Sequence, residues 1–299
     1  MRPRAEVMLV LLGLALGAAR AGDGFAWDPA ARPIYKVGQR FEEALEITDA
    51  SHKKFTSPDG ATAPRDVEVA ASVRLLHEVA EVTSGVSEDR IHVERWSQGA
   101  KGREPDTSLE GALVTLKGAA PYRSSSVETQ NTLSRDARAW VERHLVKGGA
   151  GDTGLAELEW AFILPRAPVP DGGEWSLDPD AMARELVPGS EIDAGRSRAS
   201  GKLTNVRVDG VAHVGHVEVS IDLVQTTLGL GKVSWQEGGT RQFRYVLDIS
   251  LEPAKRELVV GVITTTLKGK GTVEVPDKPP YDVEIDESSK IVVKRAPVE

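Results

Sequence analysis

Histidine and acidic side chains must supply any metal site in this chain, because it contains six histidines and no cysteine. The absence of cysteine excludes thiolate-bound zinc, iron–sulfur clusters and thiol catalysis. The spacing His213-Val-Gly-His216 most resembles a metal pair. Residues three apart on a strand point to opposite faces, so these rings could share an ion only if Gly215 formed a bulge. His92 and Glu94 share one face of a predicted strand, which is typical of a cross-strand hydrogen bond, and we predict no metal site.

Serine and glycine motifs give no better case for catalysis or phosphate binding. Gly195-Arg-Ser197-Arg-Ala199 lacks the second glycine of a nucleophile elbow, and a strand rather than a helix is predicted after it. The run 124–126 consists of serines in a predicted polar loop. Gly229-Leu-Gly231-Lys232 lacks the four-residue spacer and the Ser/Thr of a phosphate-binding loop, and we interpret it as a strand bend.

Carboxylates are abundant, but their spacing along the chain does not identify an acid/base pair. Groups occur at residues 42–43, at 178 and 180, and at 282, 284 and 286. A glycosidase pair needs two carboxylates about 5–10 Å apart in a cleft, which spacing alone does not show. The last group alternates with Tyr281, Val283 and Ile285, so it is typical of the solvated face of a strand. No calcium-loop spacing occurs. We predict no catalytic, cofactor-binding or metal-binding residue, no cofactor, and a protein that is not an enzyme.

Length and composition are those of a globular protein. The 299 residues are 40% hydrophobic and 27% charged, with a formal net charge of −8. An acidic chain is poorly suited to binding nucleic acid, since phosphate contacts need clustered Lys and Arg. The basic cluster of Lys268, Lys270 and Lys278 is punctuated by Gly and Pro, and we interpret it as a solvated strand edge.

The first 21 residues have the pattern of a signal peptide. Arg2 and Arg4 precede an apolar run over residues 7–16, and Ala19-Arg-Ala21 provides the small-x-small cleavage pattern. The run is far shorter than the ~20 residues that cross a bilayer. No later stretch is apolar enough to span a membrane. We therefore expect cleavage after Ala21, export to the periplasm or the cell exterior, and no transmembrane span in the mature chain.

Most of the remaining chain alternates apolar and polar residues with period two. The clearest strand covers residues 243–251, where Phe243, Tyr245 and Leu247 share one face. Asp209-Gly210 is typical of a tight hairpin turn. Further strands are predicted at 40–48, 67–73, 89–96, 109–117, 203–208, 211–223, 257–267, 271–275, 281–285 and 290–294, with breaks at 236–239 and 276–280.

Helical periodicity is concentrated in the middle of the chain. Residues 133–147 place six residues on one stripe: Leu133, Ala137, Trp140, Val141, His144 and Leu145. Thr132 or Ser134 could cap this helix, and His144 is expected at the edge of the core. Shorter helices are predicted at 155–162 and at 179–187, the latter with Asp178 as N-cap. The fold class is therefore α+β and mainly β, with a large curved antiparallel sheet or partial barrel and a few helices over one face.

The predicted domain organisation is a signal peptide over 1–21 and one β-rich domain over 22–299. The domain is divisible into β halves at 22–130 and 165–299, joined by a helical segment at 131–164. Val37-Gly38-Gln-Arg-Phe41 and Asp171-Gly172-Gly-Glu-Trp175 both place an aromatic residue three positions after a glycine. This shared pattern leaves duplication of the two halves open.

The segment Trp160-Ala-Phe-Ile-Leu164-Pro165-Arg-Ala-Pro-Val169-Pro-Asp-Gly172-Gly-Glu-Trp175 resembles a signature of uncharacterised exported bacterial β-rich proteins. In that group a Leu-Pro pair is followed by a Val, a Gly-Asp-x-Trp-like turn and a long run of strands; here Gly173 stands in place of the Asp. The resemblance implies an exported β-domain and no catalytic residues. The predicted sheet is also similar to the periplasmic lipoprotein-carrier fold, an analogy at the level of fold alone.

Three classes of function follow from these observations. The first is an exported binding or carrier protein of the cell envelope, with an unknown apolar ligand or an envelope protein as its partner. In this class the central helix could act as a lid. The second is an envelope scaffold without a small ligand, and the third is a hydrolase whose site is assembled from distant strands. An apolar cavity would favour the first, a closely packed sheet interior the second, and clustered titratable groups the third.

Overall fold

A single antiparallel sheet dominates the computed structural model, which describes Phe25 and residues 36–82, 86–118, 124–146, 162–209, 212–229, 233–251, 259–275 and 278–298. Its eleven strands are β1 (Arg40–Thr56), β2 (Thr62–Val82), β3 (Val86–Ala100), β4 (Leu113–Lys117), β5 (Ser124–Glu128), β6 (Glu174–Ser176), β7 (Arg198–Asp209), β8 (Ala212–Leu228), β9 (Val233–Ser250), β10 (Val259–Val275) and β11 (Lys278–Pro297). The helical elements are α1 (Arg135–Trp140), a π-helical segment (Val141–Val146) and α2 (Pro179–Leu186). The predicted fold class is confirmed.

The strand order is that of one continuous meander in which the two ends of the chain meet in the middle. The order is β5-β4-β3-β2-β1-β11-β10-β9-β8-β7-β6, with β1 paired to β11 along its length. The sheet is open, since β5 and β6 are its edge strands. Strands of both predicted halves therefore form one sheet. Gly38 and Gly172 both have a positive φ, but duplication of the halves stays a prediction.

Alternation gives the sheet an inner and an outer face. Odd-numbered residues of β1 and β11 lie on the inner face, where most of the buried apolar side chains are found. The main core packs inner-face residues of both halves against the helical segment; its largest fully buried members are Trp96, Leu75, Ile91, Leu109, Leu145, Ile163, Leu203, Ile221, Leu223 and Leu247. Outer-face residues are largely charged and exposed, as expected for an antiparallel sheet with one solvated face.

The helical segment covers the inner face, as its apolar stripe predicts. Ser134 is the N-cap of α1, and its Oγ accepts a hydrogen bond from the backbone N–H of Ala137 at 2.9 Å. Ala137, Trp140 and Leu145 are buried in the main core. The helix changes from α to π at Val141, a change that the periodicity does not indicate.

The second described helix also matches its prediction. Asp178 caps α2, which begins at Pro179. The predicted helix at 155–162 lies outside the described residues except for Phe162. Within the described ranges, no helix reaches the length and apolarity that crossing a membrane would need.

Several strand predictions need correction. The Gln236-Glu-Gly-Gly239 break is instead a bulge inside β9, where the register against β10 shifts. The strands predicted at 257–267 and 271–275 are parts of β10, and those at 281–285 and 290–294 are parts of β11. The serines at 124–126 belong to the edge strand β5 rather than to a loop.

The prediction that the basic residues of β10 lie at a strand edge of the sheet is also wrong. Lys268 and Lys270 lie on a central strand and not at a sheet edge. Their Nζ atoms are 2.9 and 3.2 Å from carboxylate oxygens of Asp286 and Glu284. The acidic residues 282, 284 and 286 therefore lie on the solvated outer face of β11, as predicted.

Candidate functional site

The two histidines of the candidate metal pair lie on opposite faces of β8. The strand is in regular register with β9 from Val214 to His216, so Gly215 forms no bulge. The irregularity lies instead in β7, where the pairing shifts between Thr204 and Arg207. Across the part of the chain that the structure describes, no group of three or more His, Asp or Glu side chains could hold a metal ion.

His216 belongs to an ion-pair network on the outer face. Its Nδ1 is 2.8 Å from Oδ1 of Asp248, and its Nε2 is 3.2 Å from Oε1 of Glu218. Arg207 donates to the other oxygen of Asp248 at 2.8 Å. Burial raises the pKa of Asp248, but the hydrogen bonds from Arg207 and His216 outweigh it and leave the pKa below its ordinary value. This network ties β7, β8 and β9 together.

Ser197 has a structural environment. Its side chain is buried; the hydroxyl donates to the carbonyl of Asp193 at 2.8 Å and accepts from the N–H of Val224 at 3.0 Å. The bond to Asp193 closes a local turn, and the bond from Val224 holds the segment before β7 against β8. A hydroxyl engaged in this way is not positioned as a nucleophile.

The remaining histidine and carboxylate candidates do not converge. His92 and Glu94 are exposed on one face of β3, and Glu94 pairs with Arg74 at 3.2 Å instead of with the histidine. Glu42, the other partner of Arg74 at 2.7 Å, lies on the outer face, whereas its neighbour Glu43 lies on the inner face. The side chain of His144 lies outside the described part of the structure.

Sequence reasoning missed a buried ionic group at one end of the inner face, formed by Phe41, Glu43, His77, Asp89 and Arg295. His77 Nδ1 is 2.9 Å from Oδ2 of Asp89, and its Nε2 is 4.0 Å from Oε2 of Glu43. Arg295 Nε is 3.9 Å from the same oxygen of Glu43.

An aromatic ring joins the two sides of this ionic group. The ring of Phe41 on β1 stacks on His77 of β2 at 4.3 Å and lies 4.2 Å from the guanidinium carbon of Arg295 on β11. All these side chains are at most 5% exposed. The sequence does carry one signal of this ionic group: charged residues stand at strand positions where alternation predicts apolar ones. The group is closed to solvent and linked across four strands, so its arrangement favours a structural role.

A second unusual group, the inner-face polar cluster, consists of Gln225 on β8 with Trp235 and Arg241 on β9. Gln225 is fully buried, and neither atom of its amide has a hydrogen-bond partner among the described residues. The same holds for Nε1 of Trp235 and Nε of Arg241. Such atoms cost about 1–3 kcal/mol each when left unpaired, so the cluster requires an explanation.

The register of the sheet brings these three residues together. Gln225 pairs with Gly239, and Leu223, two residues earlier, pairs with Arg241. The indole of Trp235 lies flat over Gly239 and over Gly269 of β10: an added Cβ would fall 2.4 and 2.6 Å from ring atoms. The bulge in β9 therefore lets Trp235 fold back over Gly239, the residue that pairs with Gln225. Gly239 belongs to the strand break that the sequence predicts at residues 236–239. Its lack of a side chain leaves space for the indole.

Charged side chains border the cluster on the inner face. Glu287 of β11 accepts from Ser51 at 3.1 Å and pairs with Nζ of Lys53 at 2.7 Å. Burial lowers the pKa of the Arg241 guanidinium, and the attraction of Glu287 partly offsets this. The guanidinium also lies 5.6 Å from the ring of Phe243.

Apolar residues form a separate small core next to the cluster, which we call the end cluster. Its buried members are Val233, Trp235, Leu267, Val283 and Ile285, with Phe55, Leu228 and Val273 packed against them. The end cluster is distinct from the main core under the helices. Trp235 belongs to both clusters, so polar and apolar surfaces adjoin at its indole.

Comparisons with known proteins assign no family. No family model and no curated protein matches the chain. Among solved structures, a structure of lipovitellin that describes lipid–protein interactions matches 89% of this chain with 10% identity and a TM-score of 0.33. The chain spans only 26% of the lipovitellin chain.

Two outer membrane proteins show weaker similarity. OmpF of Salmonella typhi, in complex with daunomycin, matches 88% of this chain with 9% identity and a TM-score of 0.20, over 99% of its own chain. An outer membrane channel from Pseudomonas putida F1 matches 89% with 8% identity and a TM-score of 0.19, also over 99% of its own chain. At these scores the similarities carry no argument about function.

Proposed function

We propose that this chain is an exported binding or carrier protein of the cell envelope, not an enzyme, and that it holds a ligand with an apolar part at the end cluster. The signal-peptide pattern over residues 1–21 and the resemblance to exported β-rich proteins support export. One observation carries the binding role. Buried polar atoms of Gln225, Trp235 and Arg241 without a partner in the described structure adjoin an apolar cluster separate from the main core.

The ligand site is placed at the end cluster and not beneath the central helix. Trp140 is 6% exposed and Leu145 is 2% exposed, and both are packed in the main core. A helix packed in this way contributes to the core in the observed state. The movable-lid interpretation of residues 133–147 therefore has less support than a site at the other end of the inner face.

Binding of a neutral fluorescent probe, N-phenyl-1-naphthylamine, tests the proposed function. The mature chain should increase the emission of the probe at micromolar concentration. Ile285→Trp, which adds bulk to the buried end cluster, should reduce binding at least tenfold, whereas Val246→Trp on the exposed outer face of β9 should leave it unchanged. Absence of probe uptake by a folded wild type would overturn the proposal and favour the scaffold.

The scaffold remains the second candidate because the main core is closely packed. In that case the outer face would carry the contacts, and neither probe nor lipid would bind the inner face. Native mass spectrometry of protein purified from its own envelope distinguishes the two directly. A co-purifying small molecule supports the carrier, and a co-purifying protein without one supports the scaffold.

A further inference from the structure

We infer that the ligand carries a single negative charge, as a long-chain carboxylate does, and that Arg241, Gln225 and Trp235 bind its head. This inference rests on the proposed function, because it names the chemistry of the ligand at the same site. Three observations support it: the kind of hydrogen-bonding groups that lack partners, the local charge, and the neighbouring apolar surface.

The unpartnered atoms are mostly donors. Indole Nε1 and guanidinium Nε can only donate, and the Gln225 amide adds two donor hydrogens and one acceptor oxygen. A group rich in acceptors is therefore the complement of this cluster. An ionised carboxylate accepts only, through two oxygens with about four lone-pair positions. Arginine is well suited to such a partner because its planar fork can bind both oxygens.

The local charge fits an anion although the whole chain is acidic. Glu287, the carboxylate that attracts Arg241, is already bound by Lys53 and Ser51. Among the described residues, the charges of Lys53 and Glu287 cancel, which leaves the charge of Arg241 unmatched at the cluster. The charges of the exposed Asp49 and Arg65, which lie on the same face of β1 and β2, also cancel. One unmatched positive charge complements a carboxylate better than a phosphate monoester, which carries about −1.5 to −2.

The apolar end cluster provides the surface for the rest of the ligand. Trp235 connects the two regions, since it is a buried member of the end cluster while its Nε1 belongs to the polar cluster. A ligand with a charged head and an apolar chain would satisfy both regions at once. A purely apolar ligand would leave the buried donors unpaired, at the cost given above.

Competition with the neutral probe tests the inference. We expect myristate to displace N-phenyl-1-naphthylamine from the mature chain at least tenfold more effectively than tetradecanol, which has the same chain and no charge. Arg241→Gln should abolish this preference and leave tetradecanol binding unchanged, since only the charged hydrogen bond is removed. Gln225→Leu should reduce the preference as well, and it serves as a second variant if Arg241→Gln fails to fold.

The matched control is Arg244→Gln. Arg244 lies on the same strand but binds Asp222 at 2.7 Å on the outer face, so its removal should leave myristate binding unchanged. Equal binding of myristate and tetradecanol would overturn the inference while leaving the proposed function intact. Tighter binding of tetradecyl phosphate than of myristate would also overturn it. Failure of every compound, including the probe, would overturn the proposed function itself.

Discussion

Removal of Arg295 should be among the most damaging single substitutions in this protein. Arg295 is fully buried, and Glu43 beside it is 1% exposed. The buried ionic group contains two carboxylates: Glu43 faces Arg295 and His77, and Asp89 faces His77. Arg295→Met keeps most of the side-chain volume but removes the positive charge, so the carboxylate of Glu43 is left buried without its arginine.

The expected loss is about 3–5 kcal/mol of unfolding free energy, the usual cost of removing one partner of a buried ion pair. Part of this is the contact between the guanidinium and the Phe41 ring at 4.2 Å, which contributes about 2 kcal/mol when desolvated. The double variant Arg295→Met with Glu43→Leu removes both charges. We expect it to recover the part of the loss that comes from the unpaired Glu43 carboxylate, because an apolar replacement of a buried pair is often neutral or stabilising, whereas the contact with the Phe41 ring stays lost.

Urea denaturation followed by tryptophan fluorescence measures these effects. Lys268→Met provides the control, since Lys268 and Asp286 form a pair at 2.9 Å, shorter than the 3.9 Å between Arg295 and Glu43, but with both side chains at least half exposed. It should change stability by less than about 1 kcal/mol. If Arg295→Met cost no more than this control, or if the double variant were no more stable than Arg295→Met, the reasoning from burial would be wrong.

Three further substitutions test other parts of the fold. Trp140→Ala should lower the unfolding free energy by about 3–5 kcal/mol in urea, because the indole is buried in the main core; a loss below about 1 kcal/mol would indicate a loosely packed helix. Ser134→Ala should cost about 1 kcal/mol through loss of the N-cap, measured by thermal denaturation. Asp248→Asn should destabilise the protein at pH 7. The lowered pKa of Asp248 means that its contribution is present above the unfolded pKa near 3.8 and is lost as the pH falls through the folded value. The stability difference between the variant and the wild type should therefore shrink as the pH falls below 3.8 and through the folded pKa, and a constant difference would contradict this assignment.

The sheet could be predicted because each strand repeats its pattern over many residues. Residues 243–251 alternate cleanly, and the structure buries Phe243, Tyr245 and Leu247 on the inner face as expected. The cap of α2 was likewise predictable and that of α1 was narrowed to Thr132 or Ser134, since a capping side chain acts within a few residues of its own position. Local rules succeed where the determining contacts are local.

The bulge in β9 shows where local rules fail. Gly238 and Gly239 resemble a turn in sequence, and Gly238 does adopt a positive φ of 89°. The strand continues because Trp235 folds back over Gly239 and Gly269, and Gly269 lies thirty residues further along the chain on β10. No pattern within the segment indicates that contact. The same limit applies to Gln225: its inner-face position follows from alternation, but only the tertiary structure shows that its amide has no partner among the described residues.

The two unusual polar groups of the inner face differ in a way that bears on function. In the ionic group around Arg295, charges of both signs meet and an aromatic ring fills the space between them, so the protein supplies its own complement. In the inner-face polar cluster, the unpartnered atoms are mainly donors, and the nearest carboxylate is engaged elsewhere. Buried atoms of Glu43, His77 and Asp89 also lack a hydrogen-bond partner among the described residues, but in the ionic group charges of opposite sign lie within 4.0 Å of one another and offset part of the cost of burial. A protein that is only a scaffold gains nothing from the second arrangement, whereas a binding protein recovers its cost when the ligand arrives.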